Sequence, residues 1–253
     1  MAKPEKRNNA KRANRPNPRE DRNINKFSVP TFNTEQRIKK KVELLPRNLR
    51  QEEYIDLLED DTKNIVFSMG PAGTGKTLLA TLYAIKQFQA GEIEKIIITR
   101  PLVATGENIG ALPGDLIAKL SPWCIPVLDI FKEIYSVNYV KKLLEEETLE
   151  LAALSLMRGR SLKRCVVIGD EMQNATKEQM KMFLTRIGDD CKMIVTGDVA
   201  QHDRAYTDNN GLKDFIHRLE QKQPNRIGMV KFHQNEVERH PVIEDVLGLY
   251  GDE

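Results

Sequence analysis

The sequence has few cysteines, few aromatic residues and no long hydrophobic run. Its three cysteines, Cys124, Cys165 and Cys191, form no C-x-x-C motif and no close pair along the chain, which favours reduced thiols used as small apolar residues. No run of about 18 apolar residues is present, and the charged N-terminus has no apolar segment behind it, so neither a membrane helix nor a secretory signal is predicted. These absences predict a soluble protein of a reducing cytoplasm.

Large apolar residues are also scarce in the first 26 residues, where Ile24 is the only one after Met1. This stretch carries nine Lys or Arg against three acids, whereas the rest of the chain has 30 basic and 34 acidic residues. A segment of this composition cannot offset the entropy of ordering. We therefore predict a basic disordered tail over 1–26, a transitional segment over 27–45 and one folded domain over 46–253.

The remaining sequence alternates between short apolar runs and amphipathic stretches. The apolar runs predict strands at Ile65–Met69, Lys95–Thr99, Cys165–Ile168, Met193–Thr196 and Met229–Phe232. The amphipathic stretches predict helices at Leu49–Glu59, Lys76–Gln89, Lys177–Arg186, Gly211–Gln221 and Val237–Leu247. An insertion between Pro101 and Lys163 is predicted to be helical around Val127–Ile134 and Tyr139–Leu156. The alternation favours an α/β fold, a mostly parallel sheet with helices on both faces.

A glycine-rich loop joins the first predicted strand to the helix that begins at Lys76. It consists of Gly70, Pro71, Ala72, Gly73, Thr74, Gly75, Lys76 and Thr77 and satisfies G-x-x-x-x-G-K-[ST]. Backbone N–H groups of such a loop converge on phosphate, and glycines let the backbone approach the anion. We expect Lys76 to bind the β- and γ-phosphates of ATP and the Thr77 hydroxyl to ligate Mg²⁺.

Two later strands end in polar residues. The apolar run that begins at Cys165 is followed by Asp170 and Glu171, and we expect Asp170 to hold the magnesium ion and Glu171 to polarise the attacking water. The run from Met193 leads to Asp198 and Gln201, at the sheet edge where open α/β sheets bind ligands. These two residues are predicted to sense the γ-phosphate, with a simple helix cap by Asp198 as the alternative.

The chain resembles the PhoH family, whose P-loop ATPase core is similar to the first RecA-like domain of superfamily-one helicases. The resemblance covers Pro46 to about Leu249. It rests on Gly70–Ala80, Ile98-Thr99-Arg100-Pro101, Leu112-Pro113-Gly114-Asp115, Met157-Arg158-Gly159-Arg160, Asp170-Glu171-Met172-Gln173-Asn174, Gln179–Gly188, Val195–Gln201 and Val237-Glu238-Arg239-His240-Pro241. The sequence departs from the family at Gly169, where a larger apolar residue is usual, and at Met172, where alanine is usual.

The resemblance implies further roles. Gln51 matches a glutamine that recognises adenine in related helicases, and Arg239 matches an arginine that contacts the γ-phosphate. A single core domain cannot easily close its own pocket, so the arginine is expected from a neighbouring subunit. That implies a homo-oligomeric ring.

Three hypotheses for the use of ATP follow. The first is an oligomeric, RNA- or single-strand-DNA-dependent motor or remodeller, favoured by the helicase-like core, by an Arg100 segment that resembles a nucleic-acid-contacting motif, and by the basic tail. The second is a nucleotide-dependent switch or assembly ATPase that does not bind nucleic acid. The third, a small-molecule kinase, is disfavoured because a water-activating Glu171 promotes hydrolysis.

Overall fold

The fold is described from a computed structural model, which describes residues 40–101, 116–201 and 209–238, together with Val242, Ile243, Val246 and Leu249. For residues 116–123 it describes the backbone alone. The predicted basic tail 1–26, residues 27–39 of the transitional segment, and Arg239 lie outside these residues.

A six-stranded, entirely parallel sheet forms the centre of the described chain. Its strands are β1 (Ile65–Met69), β2 (Lys95–Arg100), β3 (Leu149–Ala153), β4 (Cys165–Gly169), β5 (Cys191–Gly197) and β6 (Ile227–Lys231). The order across the sheet is β3-β2-β4-β5-β1-β6. The five predicted strands are confirmed, with shifts of at most two residues at their ends.

The strand β3 was not predicted, and the helix expected over Tyr139–Leu156 is wrong in its second half. The helix there ends at Glu145, and Glu147 adopts a positive φ of 54° that no regular helix continues through. The chain then pairs with β2, Leu149 opposite Ile96. Leucine and alanine have high helix propensity, so the ladder to β2 overrides the local preference.

Six helices of eight or more residues cover the sheet in the described part of the chain. They are α1 (Leu49–Glu59), α2 (Lys76–Ala90), α3 (Leu116–Ile134), α4 (Val137–Glu145), α5 (Lys177–Leu184) and α6 (Gly211–Lys222). The predicted start of the last helix at Val237 is wrong, because Val237 is extended and follows a short 3-10 helix, Gln234–Glu236. Helical backbone is described further on, at Val242, Ile243, Val246 and Leu249.

Alternating strand residues face two separate hydrophobic layers, which is the predicted arrangement of helices on both faces. On β4, Val166 and Ile168 pack with α1 to α4, whereas Cys165 and Val167 pack with α5 and α6. Both layers are buried, so the strands are apolar along their length rather than alternating. Helices therefore cover both faces of the sheet, and polar residues lie at its carboxyl edge.

The three cysteines are buried, as predicted for small apolar side chains, and no disulfide joins them in this structure. Cys165 and Cys191 stand opposite each other on β4 and β5 with their Sγ atoms 3.6 Å apart, a proximity that their spacing in the sequence does not reveal. No helix among the described residues is long and apolar enough to cross a bilayer.

Candidate nucleotide site

The glycine-rich loop turns sharply from β1 into α2. Gly73 and Gly75 have φ values of 85° and 83°, in the left-handed region. Gly70, at φ 137°, lies so close to the backbone of Phe232 that a Cβ atom would be 2.5 Å from its carbonyl oxygen. The loop therefore needs glycine at these positions, and it presents its backbone beside the N-terminus of α2.

Lys76 is folded back onto the loop. Its Nζ donates to the carbonyl oxygens of Gly70 at 2.7 Å and Pro71 at 2.6 Å. Burial lowers the pKa of Lys76, against the opposing effect of the nearby carboxylates of Asp198, Glu171 and Asp170. The structure therefore places the ammonium group of Lys76 beside the loop. Phosphate oxygens can take the place of the two carbonyl oxygens that it now binds.

Three oxygen-bearing side chains meet beside the loop. The buried Asp170 accepts hydrogen bonds at one oxygen, Oδ1, from Thr77 Oγ1 at 2.8 Å and from Thr196 Oγ1 at 2.6 Å. Thr77 comes from the first turn of α2, Asp170 follows β4, and Thr196 belongs to β5. Oxygen donors of this kind suit Mg²⁺, which protein sites hold through one or two carboxylates plus substrate phosphates.

Glu171 occupies a left-handed backbone conformation, φ 52°, that non-glycine residues rarely adopt. Both of its carboxylate oxygens are engaged. Gln173 Nε2 donates to Oε2 at 2.5 Å, and Arg100 Nη2 lies 3.8 Å from Oε1. Strained residues of this type concentrate at functional sites because the surrounding structure holds them.

Gln173 connects Glu171 to the end of β5. Its Oε1 accepts from the backbone N–H of Asp198 at 3.1 Å, and the side chain is buried. Gly197 makes room for it, since a Cβ there would lie 2.9 Å from Gln173 Oε1. The sequence analysis assigned no role to Gln173 or Thr196, although both lie in segments that carry the family resemblance and stand near strand ends beside the acids.

Asp198 and Gln201 both line the loop cavity, as their predicted role requires. Asp198 Oδ1 also accepts from the Ala200 N–H at 2.9 Å, and the Gln201 N–H donates to the Asp198 carbonyl oxygen at 3.2 Å. The carboxylate thus also stabilises its own turn, and it does so in place of the helix cap that the sequence left open, because residues 199 and 200 form a turn.

Gln51 fastens the loop to the segment before α1. Its Oε1 accepts from the Arg47 N–H at 2.9 Å and its Nε2 donates to the Thr74 carbonyl oxygen at 3.1 Å. The side chain is buried and lies directly against Gly75. One N–H and one lone pair of the amide remain for a ligand.

Two adjoining open cavities flank the loop. One, of about 290 Å³, is lined by the loop, Asp170, Glu171, Thr196, Asp198 and Gln201. The other, of about 520 Å³, reaches from Gly73 and Gly75 past Gln51 to the apolar side chains of Leu78 and Leu82. The two cavities thus share Gly73, Gly75 and Leu78, and the larger one is lined by both apolar and charged side chains.

The two departures from the PhoH pattern are in contact. A Cβ at Gly169 would be 2.9 Å from Phe183 Cε1 and 3.2 Å from Met172 Cγ. Phe183 and Met172 are completely buried. The missing side chain at Gly169 is therefore replaced by these two neighbours.

The first strand of this parallel sheet opens into the glycine-rich loop. The Thr77 hydroxyl of the following helix is bonded to Asp170, at the end of a second strand. These features define the P-loop nucleoside-triphosphatase class. In this sheet, strand β5 lies between β1 and β4. The class implies nucleotide binding.

Comparison of the sequence with known proteins shows the family to which the chain belongs. The family model described as "PhoH-like protein" matches residues 43–251, and the chain belongs to the PhoH family. It is 41% identical over 204 residues to the PhoH-like protein of Bacillus subtilis, covering 81% of this chain and 63% of that protein. It is 39% identical over 207 residues to the PhoH-like protein of Mycobacterium leprae, covering 82% of this chain and 58% of the relative.

Protein PhoH of Escherichia coli is 35% identical over 209 residues, covering 82% of this chain and 58% of that protein. The chain thus spans about three fifths of the length of the curated relatives it matches. Among solved structures, the large terminase of a thermophilic bacteriophage is similar over 79% of this chain and 50% of that one, at 12% identity and a TM-score of 0.44.

Proposed function

We propose that this protein binds ATP with Mg²⁺ at the glycine-rich loop, hydrolyses it, and uses the hydrolysis to move along or remodel RNA or single-stranded DNA. The observation that carries the proposal is the meeting of Thr77 and Asp170 at 2.8 Å beside the loop, with Glu171 as the next residue. This supports the proposal, because two oxygens of the kind that bind Mg²⁺ lie together with a separate carboxylate at one cavity.

In this proposal, each residue of the site has its own role. Lys76 and the N–H groups of the loop bind the phosphates, and Thr77 and Asp170 hold the metal ion. Bound Mg²⁺ would neutralise charge that develops on the phosphate oxygens. Glu171 orients a water molecule and takes its proton, while Asp198 and Gln201 line the same cavity and respond to loss of the γ-phosphate.

The second cavity suits the base of the nucleotide, because it is the larger of the two, adjoins the glycine-rich loop and contains the apolar side chains of Leu78, Leu79 and Leu82. Gln51 would select adenine with its remaining amide N–H and lone pair. Arg239, which the family resemblance assigns to the γ-phosphate, would act from a neighbouring subunit of a ring. This would complete a site that one domain leaves open.

ATP hydrolysis by the wild type and by Glu171→Gln tests the proposal. The variant keeps the shape of the side chain but removes its ability to take a proton, so we expect kcat to fall about 10²- to 10⁴-fold. ATP binding should remain, as measured by fluorescent-nucleotide titration. Hydrolysis at wild-type rate in the variant would contradict the role of Glu171.

The same assay with single-stranded RNA or DNA at low salt separates the two functions that remain open. Stimulation by either polymer supports the motor or remodeller. A rate of hydrolysis that neither polymer changes supports the nucleotide-dependent switch. That alternative is favoured by the absence of aromatic residues in 1–26, because a stacking platform for single strands would need them there.

A further inference from the structure

We propose that Arg100 restrains Glu171 when no polymer is bound, and that phosphate groups of single-stranded nucleic acid free Glu171 by binding Arg100. The inference rests on the proposed ATPase and deepens it, because it assigns a regulator to the same carboxylate. It would make hydrolysis depend on the polymer.

The contact that carries it is specific to one oxygen of Glu171. Arg100 Nη2 lies 3.8 Å from Oε1, while Oε2 accepts the 2.5 Å hydrogen bond from Gln173. Water must approach one of these oxygens if Glu171 is to take its proton. An arginine beside Oε1 competes with water for that oxygen, so the described conformation is one of restrained hydrolysis.

The two partners of Glu171 differ in how firmly they are held. Gln173 is 5% exposed and its other end is bonded to the Asp198 N–H, so it forms a fixed support. The Arg100 side chain is 33% exposed, and 3.8 Å is a long separation for an ion pair. Of the two partners, Arg100 is therefore the more exposed and the more distant from Glu171, and it is the one that an external anion can reach.

The position of Arg100 indicates which anion does so. It ends β2 at the carboxyl edge of the sheet, but it is not among the residues that line the loop cavity. Because the Arg100 side chain is 33% exposed, an anion of another molecule can reach it while the phosphates of a nucleotide occupy that cavity. A guanidinium binds phosphate with two parallel hydrogen bonds, and a polynucleotide presents phosphates at a closely repeated spacing.

The test compares wild type, Arg100→Ala and Arg218→Ala in steady-state ATP hydrolysis, with and without poly(U) or oligo(dT). Arg218 is the matched control, since it is an exposed arginine on α6 whose ion pair with Asp214 lies outside the site. We expect Arg100→Ala to raise the basal kcat about two- to fivefold, the range that a half-exposed ion pair supplies. Its stimulation by polymer should fall toward unity, while Arg218→Ala behaves as wild type.

A double variant shows whether the effect passes through Glu171. Glu171→Gln combined with Arg100→Ala should be as inactive as Glu171→Gln alone. A rise in the double variant would overturn the proposal, and so would an unchanged or lower basal rate in Arg100→Ala. Poly-glutamate of similar length tests the anion: equal stimulation by it, or none by nucleic acid, overturns the assignment to nucleic-acid phosphate.

Failure of this inference can be told from failure of the proposed function. If the wild type does not hydrolyse ATP, the proposed function is wrong. If it hydrolyses ATP through Glu171 and Arg100→Ala leaves the basal rate unchanged, only the restraint by Arg100 is wrong. Circular dichroism and nucleotide binding of Arg100→Ala show that the variant is folded.

Discussion

Glu171 has a strained backbone, and Gln173 is the buried side chain that holds its carboxylate. The left-handed conformation of a non-glycine residue costs about 1 to 2 kcal/mol, so it persists only where neighbours fix it. The bond from Gln173 to Glu171 and the bond from Asp198 to Gln173 supply that support. Gln173 is thus a positioning residue that links two strand ends.

Replacing Gln173 tests this role. Gln173→Ala should lower kcat for ATP about ten- to hundredfold, because small misplacements of a reacting group are costly, with little change in KM. Gln173→Glu keeps an acceptor for the Asp198 N–H but loses the donor to Glu171, so it should be similarly impaired. If Gln173→Glu is fully active, the bond to Glu171 is dispensable and the residue serves only the Asp198 turn.

Gly169 is a second residue whose environment leads to a prediction. A side chain there would contact Phe183 at 2.9 Å, so Gly169→Val should lower the free energy of unfolding by about 1 to 3 kcal/mol, the usual cost of overpacking. Urea denaturation measures the change.

Phe183→Leu in the Gly169→Val background is the matched variant for that measurement. It removes ring atoms that the valine would meet and should recover part of the loss. A Gly169→Val protein as stable as the wild type would show that Phe183 and Met172 adjust without cost.

Among the elements, β3 carries a charged cluster at the edge of the sheet. Glu150 accepts from Arg160 through both of its oxygens, one of these bonds being 2.9 Å, and from Lys95 at 3.1 Å. The hydrogen bond from Arg160 is the main cause that lowers the pKa of Glu150, and burial opposes it. The cluster ties β3 to β2 and to the segment that precedes β4.

The lowered pKa of Glu150 gives a pH dependence with a defined sign. An acid whose pKa is lower in the folded state stabilises the fold above its ordinary pKa of about 4.3, and this stabilisation is lost as the pH falls through the folded value. Glu150→Gln should therefore reduce stability by about 1 kcal/mol at pH 7. The gap from wild type should close below about pH 4. A gap that stays constant down to pH 3 would contradict the ion-pair explanation.

At the scale of the elements, prediction from sequence succeeded where a pattern was long or bounded by clear signals. Helix α1 begins after Asn48, whose side chain caps the Gln51 N–H, and its predicted bounds are those observed. The prediction missed strand β3 because its Leu and Ala residues suit a helix as well as a buried strand. Only the neighbouring β2 decides between them.

The whole molecule brings together residues that are far apart in the chain. Thr77 and Asp170 are separated by 93 positions, yet parallel strands deliver both to one edge. If this edge binds nucleotide, binding must stabilise the entire fold. MgADP at one hundred times its Kd should raise the free energy of unfolding by about 2.7 kcal/mol.

Thermal unfolding with MgADP, with ADP plus EDTA, and with Lys76→Ala measures this linkage. The shift should shrink without the metal and vanish in the variant, which lacks the cation beside the loop. A shift of wild-type size in Lys76→Ala would place nucleotide binding elsewhere. Leu78→Ala serves as the control for loss of an apolar side chain at the site, because Leu78 lines both cavities and carries no charge.

The sequence alone predicts the P-loop, the acids that follow β4 and five of the strands, and, through the alternation of strands with helices, a mostly parallel sheet. It could do so because these features are local: a glycine spacing, an apolar run, a polar residue at its end. Tertiary contacts determine strand β3, the 3.6 Å approach of Cys165 and Cys191, and the contacts of Glu171 with Arg100 and Gln173. Those depend on the order of strands in the sheet, because pairing between distant segments selects which side chains share an edge.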